Sequence, residues 1–288
     1  MRQCGRCSSP VKQQVRPRYR TYLPLRESRR MSSPHALTAS DIEAIERATL
    51  AAVAPQDVDE IPGWLLPFDP GTVGRAHSAV PLRHDARIKA SDVANIVRRY
   101  RARGLQPSLR IAAVPALAHL DAALIEQGLK ATQPTLTCVA RVADMLDATQ
   151  SITAAEVSPQ PSDAWSQVYL GEDFDPIDGA SRVKALSRAS GSLYAHSVDP
   201  PSNPAQMVAT GVGSYGHGWL GIHGMRTLAT QRKQGHASRI LRALALRAEA
   251  LGIQSAYLQV EDGNQSALRL YQSLGFRMAW RYIYWRPR

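Results

Sequence analysis

Apolar residues recur along this chain with two periods, every second position in some stretches and every third or fourth in others, and the two patterns alternate. "SSPHALTASDIEAIERATL" has the polar opening and spaced apolar residues of a capped helix. In "GWLLPFDPGTVGRAHSAVPL" two apolar runs flank glycine and proline, which predicts a hairpin. Ser91 is placed to cap a helix whose stripe is Val93, Ile96, Val97 and Tyr100. A strand in "SLRIAAV", a helix through Leu117, Leu120 and Leu124, and a strand in "TLTCVARV" follow.

The polar, proline-bearing stretch "DATQSITAAEVSPQPSD", residues 147–163, reads as a linker. Beyond it the pattern predicts a helix near Trp165 and strands in "SLYAHSV", "QMVATGVGSYG" and "GWLGIHGMRTL". A helix then carries Ala237, Ile240, Leu241, Leu244, Ala248 and Leu251 on one face, with Arg239, Arg242 and Glu249 opposite. "SAYLQV" alternates as a strand, "NQSALRLYQSLGF" is a helix begun by Asn264 and ended by Gly275, and "RYIYWRP" closes the pattern. "LDAALIEQGLKATQPTLTCVARV" and "SALRLYQSLGFRMAWRYIYWR" share an order of helix, glycine stop and strand at the end of each half, which predicts a duplicated domain.

With 288 residues and 44% hydrophobic content, the chain can bury a sizeable core. It lacks the run of roughly 20 apolar residues that a membrane span needs, and its start has no apolar signal region, so a cytoplasmic protein without a membrane partner is expected. The formal charge of +11 is concentrated in Met1 to Arg30, which holds nine Arg and Lys against Glu27. That segment fits a basic, disordered tail over residues 1–32, with a phosphate-binding arm, a transit-like peptide or a true start at Met31 as alternatives. The remainder is nearly balanced and gives no ground for a nucleic-acid partner. Cys4 and Cys7 lack a second ligand pair or a nearby histidine, so no metal is expected, and Cys138 reads as a buried inert thiol.

The stretch "RKQGHASRIL" has chemistry that periodicity does not explain. A helix opening leaves backbone N–H groups unpaired and carries partial positive charge, so it attracts anions. Gly235 and Ala237 would let a phosphate reach that backbone, with Arg232 and Lys233 adding charge at the rim.

On these residues the chain resembles the GNAT superfamily of acyl-CoA-dependent N-acetyltransferases. Arg232, Gly235 and Ala237 match that superfamily's Q/R-x-x-G-x-G/A pyrophosphate loop, and Asn264, Ala267, Leu270, Tyr271, Gly275 and Phe276 match its later N-x-x-A-x-x-L-Y-x-x-x-G-F segment. The resemblance is specific over Gly211 to Arg288 and weak over Ser33 to Val142, where Ile125 is taken to stand in the place of Tyr271. It implies an α/β fold of mixed α+β type: two tandem GNAT-like lobes, each a twisted, mostly antiparallel sheet flanked by helices. The degenerate lobe spans residues 33–146 and the catalytic lobe residues 164–288.

The resemblance also implies acetyl-CoA as cosubstrate, no metal, and direct attack by a primary amine, the acceptor being a small molecule or peptide. Backbone N–H groups near Gly224, Met225 and Thr227 would receive the oxyanion and pantetheine arm, with Asn264 in the cofactor-binding set. Tyr271 becomes the acid, a phenol near 10 being expected to hand its proton down to a thiol near 8.5. The same residue also fits a core position, since Ala267, Leu270, Tyr271 and Leu274 share one helix face. Many superfamily members carry a glutamate where this chain has Gln259, so the candidate bases are His223 acting through water, Glu261 and Asp262, each of which also fits a solvated or structural residue. The missing glutamate leaves an alternative class open: a non-catalytic acyl-CoA-binding sensor.

Overall fold

The computed structural model describes residues 37–171, 175–199 and 206–287. The basic segment, with Cys4 and Cys7, lies outside the described residues. The chain opens with α1 (Ala39–Val53), where a reciprocal box sets the start: the Asp41 N–H donates to Thr38 Oγ1 at 3.2 Å, and the Thr38 N–H donates to Asp41 Oδ2 at 2.8 Å. Strands β1 (Asp57–Ile61), β2 (Trp64–Phe68) and β3 (Val80–Pro81) make a three-stranded antiparallel sheet, with a short 3-10 turn, Gly74–Ala76, between the last two. α2 (Ser91–Ala102) buries the expected stripe, yet Ser91 is its first residue and Ala90 holds the cap position without a side-chain bond.

β4 (Leu109–Ala112), α3 (Asp121–Glu126) and β5 (Leu129–Arg141) follow, then α4 (Val142–Ala148). Part of the expected linker is β6 (Glu156–Ser158), which pairs with β7 (Ser192–Val198); between them lie α5 (Asp163–Leu170) and α6 (Pro176–Arg188). β8 (Met207–Gly216) and β9 (Trp219–Thr227) form a hairpin. The chain closes with α7 (His236–Ala250), β10 (Ser255–Glu261), α8 (Gln265–Ser273) and β11 (Arg277–Pro287). Among the described residues no helix is long and apolar enough to cross a membrane.

Eight strands share one sheet in the order β4-β11-β5-β10-β9-β8-β7-β6, antiparallel at every step except β9 to β10. The two halves are therefore not separate bodies, and residues 37–288 form one compact unit. Each half ends in a strand, a helix and a strand, β4–α3–β5 and β10–α8–β11, and the last strand of each crosses over. β5 pairs with β10 and β11 pairs with β4, while β5 and β11 pair with each other between them. The echo in the sequence is this repeated unit.

The repeat also corrects one assignment. Gly128 and Gly275 end α3 and α8 at φ +78° and +86°, and four residues before each stand Leu124 and Tyr271. Leu124 is fully buried whereas Ile125 is 58% exposed, so Leu124 and not Ile125 holds the place of Tyr271. One apolar core joins α1 and α2 to β2, β4 and β11, and another joins α7 and α8 to β5, β9 and β10.

Candidate active site

The parallel ladder between β9 and β10 runs from Trp219–Ser255 to Ile222–Leu258 and stops, although β9 continues to Thr227 and β10 to Glu261. The strands part in a V whose floor is at His223 and Gln259. On its other side β9 stays paired with β8 through a bulge: Val212 faces His223 and Thr210 faces Arg226, so Gly211 alone spans Gly224 and Met225. Gly224 sits at φ +61°, and a Cβ there would come within 3.0 Å of the Tyr169 ring and 3.2 Å of Val212 Cγ2. Glycine is required by both backbone and space. The bulge turns this stretch of β9 away from regular pairing and presents its backbone to the V.

A cavity of about 400 Å³ fills the V. It gathers His223, Met225, Glu261, Asn264 and Tyr271 from the expected set, while Thr227, Arg232, Lys233, Gly235 and Ala237 lie outside its lining, at the end of β9 and the opening of α7. Gly235 takes the cap position of α7 at φ +85°, with no side-chain cap and no acidic residue in the first turn. A Cβ on Gly235 would meet only open space, so nothing in the fold crowds this helix end. His236, whose role its sequence does not reveal, is buried behind the loop with Nδ1 2.9 Å from Ser197 Oγ, tying the opening of α7 to β7.

Asn264 caps α8 by accepting the Ala267 N–H at 3.1 Å, which gives the residue a structural duty at the cavity edge. Tyr271 is 8% exposed and packs edge-on to Phe276, with ring centroids 5.8 Å apart. It is thus both a core residue and a cavity residue. Burial, with Cys138 as a smaller contributor, pushes its phenol up to about 12. This corrects the expected proton order. A phenol at its ordinary value already holds its proton more tightly than a thiol near 8.5, and burial widens the gap, so transfer to a free thiolate runs uphill. A phenol in this state can donate a hydrogen bond while keeping its proton.

His223 is pushed down to about 3, first by burial and then by the Arg75 guanidinium. Such an imidazole is neutral at pH 7 and too weak a base to keep a proton taken from an ammonium, which argues against it as the base. Glu261 stands at the exposed rim, where its Oε1 accepts from Gln133 Nε2 at 3.0 Å. It is the only carboxylate among the described lining residues. Cys138 is buried and its thiol is pushed up to about 11, consistent with an inert group.

The residue that sequence reading missed is Arg75. It comes from the 3-10 turn in the first half and donates from Nη1 to Gln259 Oε1 at 3.2 Å, across 184 positions of chain. No local pattern announces it. Among the described residues no group of three His, Cys, Asp or Glu side chains is placed to share a metal.

A family model described as probable histone acetyltransferase Rv0428c C-terminal matches residues 39–285. No curated protein matches the chain. Among solved structures it is similar to a GCN5-related N-acetyltransferase from Kribbella flavida, at 16% identity over 85% of this chain and 95% of that one, with a TM-score of 0.62. A functionally unknown conserved protein from Staphylococcus epidermidis ATCC 12228 aligns at 11% identity over 81% and 94%, with a TM-score of 0.60. A tandem GNAT protein from the clavulanic acid biosynthesis pathway aligns at 12% over 86% and 96%, with a TM-score of 0.53. At these identities the likeness is one of fold.

Proposed function

Because the chain belongs to the GNAT superfamily, in the family of the Rv0428c C-terminal acetyltransferase domain, we propose that it transfers acetyl from acetyl-CoA to a primary amine by direct attack. The observation that carries this reading is the V between β9 and β10, bulged at Gly224 and followed at once by the uncapped helix at Gly235. Backbone N–H groups of β9 near Gly224, Met225 and Thr227 pair with the amide-bearing arm of the cosubstrate and receive the carbonyl oxygen as it becomes an oxyanion. The opening of α7, with Arg232 and Lys233 beside it, holds the pyrophosphate.

In this reading the amine nitrogen bonds to the thioester carbonyl carbon, and the C–S bond then breaks to release the thiolate. Tyr271 donates a hydrogen bond to that sulfur and keeps its own proton. The proton lost by the amine leaves through solvent past Glu261. The first half of the chain supplies one wall of the cleft, through Val53, Val73 and Arg75.

Gly235→Val tests the loop. Forced to φ +85°, a β-branched residue strains the cap and covers the N–H groups, so acetyl-CoA affinity measured by calorimetry should fall by at least about tenfold. Unchanged affinity in a folded variant removes the loop from the site. A wild-type protein that binds acetyl-CoA, yet releases no thiol with any member of an amine panel, would instead be a sensor.

A further inference from the structure

The floor of the V presents an unusual set of polar groups. Arg75 is half-buried, and its hydrogen bond goes to a neutral amide, with no carboxylate at ion-pair distance among the described residues. Two other half-buried arginines, Arg188 and Arg47, meet carboxylates, Asp69 at 2.6 Å and Glu60 at 2.7 Å, while Arg286 resembles Arg75 in donating to an amide, Gln133 Oε1, but does so outside the cavity. A guanidinium drawn from water without a counter-ion is costly, and the cost is relieved by a bound anion.

Two more groups at the same place lack partners. Gln259 Nε2 and His223 Nε2 are buried and make no hydrogen bond among the described residues. Since Arg75 donates to Gln259 Oε1, the Gln259 amide must turn its N–H groups the other way. The described lining residues include three arginines, Arg75, Arg182 and Arg226, and one carboxylate, Glu261; Arg182 also has Asp178 at 3.0 Å.

Position separates this charge from the cosubstrate's phosphates. His223 and Gln259 are the first residues beyond the last ladder pair, whereas the Gly235 loop comes after the far end of β9 at Thr227, itself about 13 Å along the strand from His223 at the usual rise per residue. On the acetyl-transfer reading, the floor is the end where the acyl group and acceptor would meet. Resting on the acetyl-transfer reading above, we propose that the acceptor carries a carboxylate beside its amine, and that Arg75, presented by Gln259, anchors that carboxylate at the floor of the cleft.

The geometry fits a carboxylate because its two oxygens can take the guanidinium fork and the free Gln259 N–H together. A lysine- and arginine-rich peptide meets like charge here. The acceptor class is therefore an amino acid or a short peptide with a free or side-chain carboxylate.

The test compares short peptides as free acids with their C-terminal amides, all with acetyl-CoA and the full chain. Expected is a kcat/KM for the acids at least about tenfold above the amides. Arg75→Gln should bring that ratio close to one, and so should Gln259→Glu, which sets a protein carboxylate against Arg75 and offers a second route if the first variant fails to fold. Equal rates for acids and amides, or a ratio that survives Arg75→Gln, overturns the proposal. So does a histone-tail lysine peptide that outperforms the acids, or an Arg75 dependence that appears only when succinyl-CoA replaces acetyl-CoA.

If no peptide is acetylated, the transfer reading falls, and calorimetry with N-acetylglycine and N-acetylglycinamide in the presence of CoA decides the subsite separately. Binding of the acid alone, lost in Arg75→Gln, upholds it. Equal binding of acid and amide, or none at millimolar concentration, overturns it.

Discussion

Tyr271 shows how burial changes the chemistry of a recognised residue. With its phenol at about 12 it stays protonated throughout the working range, and the role proposed for it is a hydrogen bond to a sulfur that becomes charged. Such a bond to a charged group contributes about 1.5–3 kcal/mol, so Tyr271→Phe should lower kcat by roughly ten- to hundredfold with little change in acetyl-CoA affinity. Single-turnover acyl transfer is the measurement, and an unaltered rate would leave Tyr271 a core residue only. Histidines show a related effect on stability. His84 is held down at about 4 and His223 at about 3, both mainly by burial, against 6.5 for the free group. The unfolded chain therefore takes up protons near 6.5 while the folded chain resists, and the stability these groups contribute is complete above 6.5 and lost as pH falls towards 4 and 3. Melting temperature should be flat in pH above neutrality and fall on acidification, less steeply in His84→Asn.

At the scale of elements, the strand β9 does the positioning. Its ladder to β10 must end early for a cleft to exist, and its bulge against β8 must hold for the freed backbone to face that cleft. Gly224→Ala puts a side chain at φ +61° within 3.0 Å of Tyr169, so the strand either strains or straightens. Expected is a loss of about 1–3 kcal/mol, seen as a melting shift of roughly 2–4 °C for each kcal/mol, together with weaker acetyl-CoA binding. Retained affinity and melting temperature would mean that the bulge is incidental. The α8 helix carries its cap, its stop and its tyrosine in one short motif, which is why it is readable without the rest of the fold.

The whole molecule is held by the exchange of last strands. β5 lies between β10 and β11, so the first half alone would leave β5 with both edges bare, and the second half alone would separate β10 from β11. Bare edges do not make a stable small sheet. Residues 37–150 and 151–288 expressed separately should each lack cooperative unfolding by circular dichroism, and should regain it when produced together. A folded monomer from either segment would show the exchange to be dispensable. The paired halves also explain how an arginine of the first reaches a site built on the second.

The sequence by itself determined the features that rest on local rules. Helical period placed α7, positive φ demanded glycine at Gly235 and Gly275, and a side-chain cap marked Asn264, each within a few residues of its cause. The glycine-opened helix was legible for the same reason, whereas Tyr271 was singled out by family resemblance and read from its periodicity only as a core residue. Tertiary structure alone decided that Gln259 meets Arg75, that Leu124 rather than Ile125 mirrors Tyr271, and that the polar stretch after α4 supplies the edge strand β6. It also decided the protonation of His223, because a pKa depends on what burial and which charges surround the group, and both are set by residues far away in the chain. Strand exchange leaves no periodic trace, since β5 and β11 alternate in the same way whichever neighbour they take.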